Sequence, residues 1–216
     1  MYDFITDLDE YFCEKYANYD KLCVLEGYRM PKMQTSEVRA DGRTYAYTLP
    51  ASTMRLAAQE QKAELLIALK KQMFDKTVSF SFRPMGFFAR CKNRYSKYGF
   101  FRIFRLTMAK YNHSLEEVGA ELDIMPEIWR GICKGKYLPT KNLIFSMALS
   151  AHLSLDDTKN LLAVCGYELD FTVVKDVVVA YLLGTKVYNA GMIDAALAEY
   201  KVENLYLKRE KTEDNA

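Results

Sequence analysis

This sequence has few of the side chains that most catalytic and metal sites require. Its 216 residues include only two histidines, His113 and His152, which lie far apart in the chain. A histidine-dependent triad or metal cage therefore has few ways to form. Phosphate-binding loops, dinucleotide fingerprints, nucleophile elbows and the His-Glu-x-x-His zinc pattern are all missing. These absences predict a protein that is not an enzyme, with no catalytic residue, no metal site and no cofactor.

Cysteine pairs, secretory signals and long apolar runs are missing as well. The five cysteines are scattered and odd in number, and none belongs to a Cys-x-x-Cys pair, which argues against a disulfide framework or a zinc site. The first residues are acidic where a secretory signal needs basic ones. No apolar run approaches the roughly 20 residues of a membrane span. We expect a reduced, cytoplasmic protein without a membrane partner.

Acidic residues are absent from one long stretch of the chain. Between Lys76 and Leu115 the chain has nine lysines and arginines but no aspartate or glutamate. Ten phenylalanines and tyrosines are interleaved with these basic residues. The flanking segments are net acidic, at −2 for residues 1–75 and −5 for residues 116–216, so the overall charge of +2 conceals the basic stretch. Such a stretch predicts contact with a polyanion or with an acidic partner.

Apolar spacing and turn residues predict a mainly α fold with a small N-terminal α/β unit. The predicted elements of this unit are a helix over residues 7–19, a β-hairpin over 37–49 turning at Asp41-Gly42, a long helix from residue 52 or 53 to 74, and a strand over 77–83. The strict alternation in that last strand predicts Phe80 and Phe82 in the core of a sheet.

From Phe87 onward the pattern predicts helices throughout. They are expected over Gly99–Tyr111, from the Ser114 capping box onward, and over Lys141–His152, Leu155–Val164, Asp170–Leu183 and Ala190–Tyr200. The expected domains are the α/β unit at 1–86, a basic aromatic helical connector at 87–113, a helical domain at 114–207 and a disordered tail at 208–216.

One segment carries a family resemblance. It begins Ser114-Leu-Glu-Glu-Val-Gly-Ala-Glu-Leu-Asp-Ile-Met-Pro-Glu-Ile-Trp-Arg-Gly-Ile-Cys-Lys and continues without a gap over about forty residues. This pattern resembles the phage-repressor (lambda-repressor-like, XRE) helix-turn-helix domain. The resemblance implies a first helix over 115–122, a turn at 123–125 and a recognition helix over 126–134, with Trp129 and Ile132 facing inward. The longer stretch 100–205 also looks like an extended helix-turn-helix domain of Firmicutes proteins of unassigned function.

In that family the second helix enters the DNA major groove and its first turn reads base edges. Carried onto this sequence, the surface of the recognition helix would include Met125, Glu127, Ile128 and Gly131. These residues replace the small polar, amide or basic side chains of a good reader, and Glu127 would repel the DNA backbone. Nucleic-acid contact is therefore expected mainly from the basic connector, with basic side chains of the helical domain helping. The expected contacts are Arg90, Lys92, Arg94, Lys97, Arg102, Arg105, Arg130, Lys134, Lys136 and Lys141.

Two functions follow from this pattern. The first is a DNA-binding or transcription-regulator-like protein of a bacterium or phage, with DNA favoured over RNA and phosphate contacts dominant. The second is a protein-interaction module in which a degenerate helix-turn-helix binds an apolar partner. Such a module would be an adaptor or an inhibitor, and mobile-element and anti-defence factors are examples of this class.

Structural roles also compete with nucleic-acid contact for several residues of the basic stretch. The aromatic residues of the connector could form one core face, with the charges solvated on the other. Arg102 and Arg105 could pair with acidic residues of the helical domain. Trp129 is expected in the core rather than as a platform for base stacking.

Overall fold

The computed structural model describes residues 4–16, 34–38, 44–48, 62–75 and 80–208. The elements within these ranges are α1 Phe4–Lys15, β1 Gln34–Val38, β2 Thr44–Thr48, α2 Lys62–Gln72, β3 Phe82–Pro84, α3 Phe87–Tyr95, α4 Phe100–Lys110, α5 Leu115–Glu121, α6 Pro126–Cys133, β4 Tyr137–Pro139, α7 Lys141–Ser150, α8 Leu155–Val164, α9 Val174–Gly184 and α10 Ala190–Glu199. The predicted mainly α fold with a small α/β part is confirmed. No helix of the described ranges is both long and apolar enough to cross a membrane.

Residues 17–73 form one of two compact units. The predicted hairpin is present as the antiparallel pair β1 and β2, in which Val38 lies opposite Thr44. Its predicted turn at Asp41-Gly42 lies outside the described residues, as does the predicted start of the long helix. The described part of that helix, α2, buries Leu66 and Leu69.

The other unit joins α1 to the chain from Phe74 onward. On α1, the side chains of Leu8 and Phe12 are fully buried. The hydroxyl of Tyr181 donates a hydrogen bond to Asp7 of α1 at 2.6 Å, and that of Tyr200 donates to Asp9 at 2.6 Å. This grouping differs from the expected domain at 1–86, because the apolar face of α1 packs on α9 and α10.

The core of this unit is built on two helices. Every residue from Asn142 to Leu149 in α7 is buried, and so is every residue from Lys175 to Leu183 in α9. Helix α4 adds Phe100, Phe104 and Met108, as its amphipathic spacing predicts. The expected Ser114 capping box is present in α5, with both reciprocal hydrogen bonds made.

Two short strands depart from the predicted pattern. Strand β4 interrupts the region that was predicted to be helical throughout, and it pairs antiparallel with β3. The ring of Phe82 packs on that of Tyr137 at 4.6 Å between centroids. Phe80 is 69% exposed, so its predicted place in a sheet core is wrong. Among the described residues β3 has one partner strand of three residues, and Phe80 lies beyond that pairing.

Buried ion pairs set the start of α9. Lys175 pairs with Asp75 at 2.7 Å, with 2% and 5% of these side chains exposed. Asp176 pairs with Lys141 and accepts a hydrogen bond from the backbone N–H of Asp170 at 2.6 Å. This hydrogen bond holds Asp170 in a turn that precedes the helix. Helix α9 therefore begins at Val174 rather than at Asp170 as predicted.

The C-terminal end of the described chain is attached to α5. Leu207 forms an isolated antiparallel bridge with Leu122. The backbone N–H of Lys208 donates to the carbonyl of Glu121 at 3.1 Å, so Lys208 is ordered although the tail from residue 208 was predicted to be disordered. The rest of that predicted tail lies outside the described residues.

Candidate nucleic-acid interface

Helices α5 and α6 pack through a buried tryptophan. Trp129 is 8% exposed, and its indole N–H donates to the carbonyl of Leu115 at 2.9 Å. Its ring also meets the ring of Phe104 edge-on, at 6.0 Å between centroids. Val118 and Ile132 are buried in the same region. Trp129 therefore serves as core, as expected, and is not a surface for base stacking.

The outer face of α6 offers little to a DNA base. Met125 is 62% exposed, and Glu127 forms an ion pair with Arg130 at 2.9 Å. Ile128 is half-buried. Gly131 is buried beside the ring of Tyr137, so its predicted place on the recognition surface is wrong. The exposed start of α6 thus presents the apolar side chain of Met125 and the carboxylate of Glu127. The guanidinium of Arg130 is engaged by that carboxylate.

A buried asparagine joins two segments of the basic stretch to the loop after α6. Asn93 of α3 is 7% exposed. Its Nδ2 donates to the carbonyl of Gly135 at 3.3 Å, and its Oδ1 accepts from the backbone N–H of Phe101 at 3.2 Å. We call this contact the Asn93 junction. It holds the second half of α3, the first turn of α4 and the loop after α6 against one another.

Two glycines allow the backbones to meet at the junction. Gly135 has φ +68°, a left-handed conformation that glycine adopts at little cost. At Gly99, a Cβ atom would lie 1.9 Å from the carbonyl oxygen of Asn93. Any larger side chain at position 99 would therefore push α3 away from the start of α4.

The junction gathers six exposed cations, which we call the junction surface. Their positions follow from the hydrogen bonds of Asn93, because most of them neighbour a residue of the junction in sequence. Arg105 is the exception, and its guanidinium lies 5.6 Å from the ring centre of Phe101. The junction surface consists of Lys92, Arg94, Arg102, Arg105, Lys134 and Lys136.

None of these six cations is neutralised by a carboxylate within the described parts of the chain. Arg102 and Arg105 were alternatively expected to pair with acidic residues of the helical domain, and among the described residues they form no such pair. By contrast, Arg130 on the outer face of α6 is paired with Glu127. The junction surface is therefore a concentration of positive charge that faces solvent.

Three other residues that were predicted to contact nucleic acid lie outside the junction surface. Arg90 is exposed, and its Nε donates to the carbonyl of Met85 at 2.8 Å. Lys97 lies in the turn after α3, with its Nζ 5.0 Å from the ring centre of Tyr98. Lys141 forms an ion pair with the buried Asp176, so its ammonium is engaged within the fold and we leave it out of the candidate interface. Its partner is 35 residues away in the chain and was not foreseen.

The aromatic residues of the connector differ widely in burial, and Phe101 and Tyr111 are half-buried. Phe100 and Phe104 are buried, as the core interpretation requires. A second group is more than 70% exposed, which contradicts that interpretation for its members. They are Phe87, Phe88, Tyr95 and Tyr98, with exposed fractions of 74%, 86%, 78% and 71%.

A cavity of about 370 Å³ lies beside Arg105. Its lining includes His113, Glu116 and Cys133. Burial, followed by the charge of Glu116, raises the pKa of Cys133 to about 12, so this side chain is a thiol at neutral pH and a weak nucleophile. No group of three metal-ligating side chains occurs within the described ranges.

No protein-family model matches the chain, and neither a curated protein nor a solved structure matches it. The described residues themselves therefore carry the functional interpretation.

Asn93 is the residue of the candidate site that sequence reasoning missed. It is the one uncharged polar residue of α3, whose other members are aromatic, basic, Ala89 or Cys91. Asparagine is a poor residue for a helix interior, because its side chain competes for backbone hydrogen bonds. That mismatch is the signal that could have singled it out.

Proposed function

We propose that this protein is a non-enzymatic, regulator-like nucleic-acid-binding protein that contacts phosphates through the junction surface. The observation that carries the proposal is the grouping of six solvent-facing cations around Asn93, without a carboxylate partner among the described residues. Phosphate contacts of this kind supply most of the affinity in sequence-independent binding.

The packing of α5 and α6 supports the further proposal that they form a helix-turn-helix of the phage-repressor type. The two helices are seven and eight residues long and pack through Trp129. In this proposal α6 is not the main contact. Lys134 lies at its C-terminal end, while Met125 and Glu127 lie at its N-terminal end, about 12 Å away for eight residues. The positive charge is therefore at the end opposite to the one that reads bases in that family.

Fluorescence anisotropy with labelled DNA tests the proposal. At about 50 mM salt, we expect binding at micromolar protein. Because up to six phosphates are neutralised, the slope of log affinity against log salt should approach roughly −5 for a duplex. The double variant Lys134→Ala/Lys136→Ala should reduce the slope by about 2 and weaken binding to every sequence alike.

The control is Lys159→Ala/Lys186→Ala, which removes two exposed lysines outside the junction surface, of which Lys159 is paired with Asp156 at 3.4 Å. It should leave the slope nearly unchanged. No binding of duplex or single strand by the wild-type protein, or equal effects of the two double variants, would contradict the proposal.

One observation favours a second function, binding of an apolar protein partner. Met125 is 62% exposed at the start of α6, where a DNA reader would have a polar side chain. Pull-down after nuclease digestion tests this function. A stoichiometric partner retained by the wild-type protein and lost with Met125→Asp would support it, and a partner that is released by nuclease would contradict it.

A further inference from the structure

Helix α3 carries a stripe of exposed aromatic rings. Successive residues of an α-helix are rotated by about 100°, so Phe87, Phe88 and Tyr95 lie on the side opposite Asn93. Asn93 is held in the junction, and the three aromatic side chains are 74%, 86% and 78% exposed. Cys91 lies between them on the same side and is half-buried. The attachment of α3 through Asn93 thus turns the aromatic stripe toward solvent.

Basic side chains border this stripe. By the same helical rotation, Arg90 and Arg94 lie along one side of it and Lys92 along the other. All three are exposed. The guanidinium of Arg94 is 5.9 Å from the ring centre of Tyr95. The rings on α3 are therefore flanked by cations on both sides, and two of these cations, Lys92 and Arg94, belong to the junction surface.

Three exposed large aromatic residues on a nine-residue helix are costly in water, because burial of one such side chain is worth about 1.5–3 kcal/mol. The surrounding charge decides what can cover them. An apolar protein surface would have to desolvate the bordering cations, whereas a polyanion pairs with them. A DNA duplex presents its phosphates but hides its base faces. A single strand presents both, and its bases stack on aromatic side chains.

We propose that α3 is a stacking platform for single-stranded nucleic acid, with bases on Phe88 and Tyr95 and phosphates on the bordering cations. This inference rests on the proposed function and specifies the form of nucleic acid that the surface prefers. Duplex DNA, by contrast, would be bound through charge alone and would gain nothing from the aromatic stripe.

The test compares labelled oligo-dT of about 20 nucleotides with a duplex of the same length, using the full chain. Phe88→Ala and Tyr95→Ala should each weaken oligo-dT binding about tenfold, and duplex binding less than twofold. Tyr95→Phe keeps the ring and should bind oligo-dT like the wild type. Phe80→Ala is the matched control, since Phe80 is 69% exposed but lies outside α3.

Each outcome is decisive because these side chains are largely exposed, and their loss should leave the fold and its circular dichroism unchanged. Equal effects on both ligands, no effect on either, or an equal effect of Phe80→Ala would overturn the stacking platform while leaving phosphate binding in place. Absence of binding by the wild-type protein to both ligands would overturn the proposed function as well.

Discussion

Asn93 and Gly135 lie 42 residues apart in the chain, and the Nδ2 of Asn93 donates a hydrogen bond to the Gly135 carbonyl at 3.3 Å. Through this contact the basic connector reaches the end of α6. The cations that surround it come from three segments that are separate in sequence. Their grouping therefore depends on one buried polar side chain.

Replacement of that side chain should affect both stability and binding. Asn93→Ala leaves the Gly135 carbonyl and the Phe101 N–H without their partner, which should cost about 1–3 kcal/mol in the free energy of unfolding. Because the three segments are no longer aligned, DNA affinity at low salt should also fall. Urea unfolding and anisotropy measure the two effects. The control Asn160→Ala changes an exposed asparagine of α8 and should alter neither. Unchanged stability in Asn93→Ala would contradict the role of the junction.

Removal of the carboxylate on α6 should strengthen binding. Glu127→Gln releases Arg130 from its ion pair and removes one negative charge from the helix whose other end carries Lys134. Since both side chains are exposed, we expect a gain of about two- to fivefold in DNA affinity at low salt and almost no change in stability. Anisotropy with two unrelated duplexes checks whether the gain is equal for both. Weaker binding by Glu127→Gln would show that this carboxylate makes a favourable contact.

The buried pair of Asp75 and Lys175 should be sensitive to loss of one partner. Lys175→Met leaves the buried carboxylate of Asp75 without its ammonium, which should cost about 3–5 kcal/mol. The double variant Asp75→Leu/Lys175→Met removes both charges and should recover at least about 2 kcal/mol of that loss. Urea unfolding of the two variants and the wild type measures this difference. A double variant that is less stable than Lys175→Met would contradict it.

The carboxylate of Asp157 should make stability depend on acid pH. Burial disfavours its charged form, but hydrogen bonds from Lys110, Tyr111 and Ser154 outweigh this effect and lower the pKa of Asp157 below its usual value. A carboxyl whose pKa is lower in the folded state stabilises the fold above the pKa of the unfolded chain. This contribution is lost as pH falls through the folded pKa.

Asp157→Asn should therefore be less stable than the wild type near pH 7 by about 1–2 kcal/mol. The difference should shrink as the pH is lowered from about 4 toward 2. Urea midpoints measured over this range check the prediction. A difference that stays constant with pH would mean that the ionised form of Asp157 is not what stabilises the fold.

Local signals in the sequence predicted much of the helical unit correctly. The amphipathic spacing of Gly99–Tyr111 matches α4, and the capping box at Ser114 matches the start of α5. These features depend on neighbours within one or two turns, so they can be recognised without knowledge of the fold.

Features that depend on distant partners could not be predicted in the same way. Lys141 has the sequence environment of a surface lysine, but Asp176 engages it from a helix that begins 33 residues later. From the sequence, the ring of Phe88 is more simply interpreted as part of a core than as an exposed side chain. Nothing in its local sequence indicates that Asn93 fixes the opposite side of α3. The candidate site is of this second kind, since its three segments meet only in the folded chain.

Lysine footprinting tests the central claim most directly. The protein is acetylated with and without saturating oligo-dT at low salt, and each lysine is quantified by mass spectrometry. Binding at the junction surface predicts protection of Lys92, Lys134 and Lys136, with Lys159 and Lys186 modified equally in both samples. Equal modification at all five positions, or protection confined to Lys159 and Lys186, would contradict binding at the junction surface.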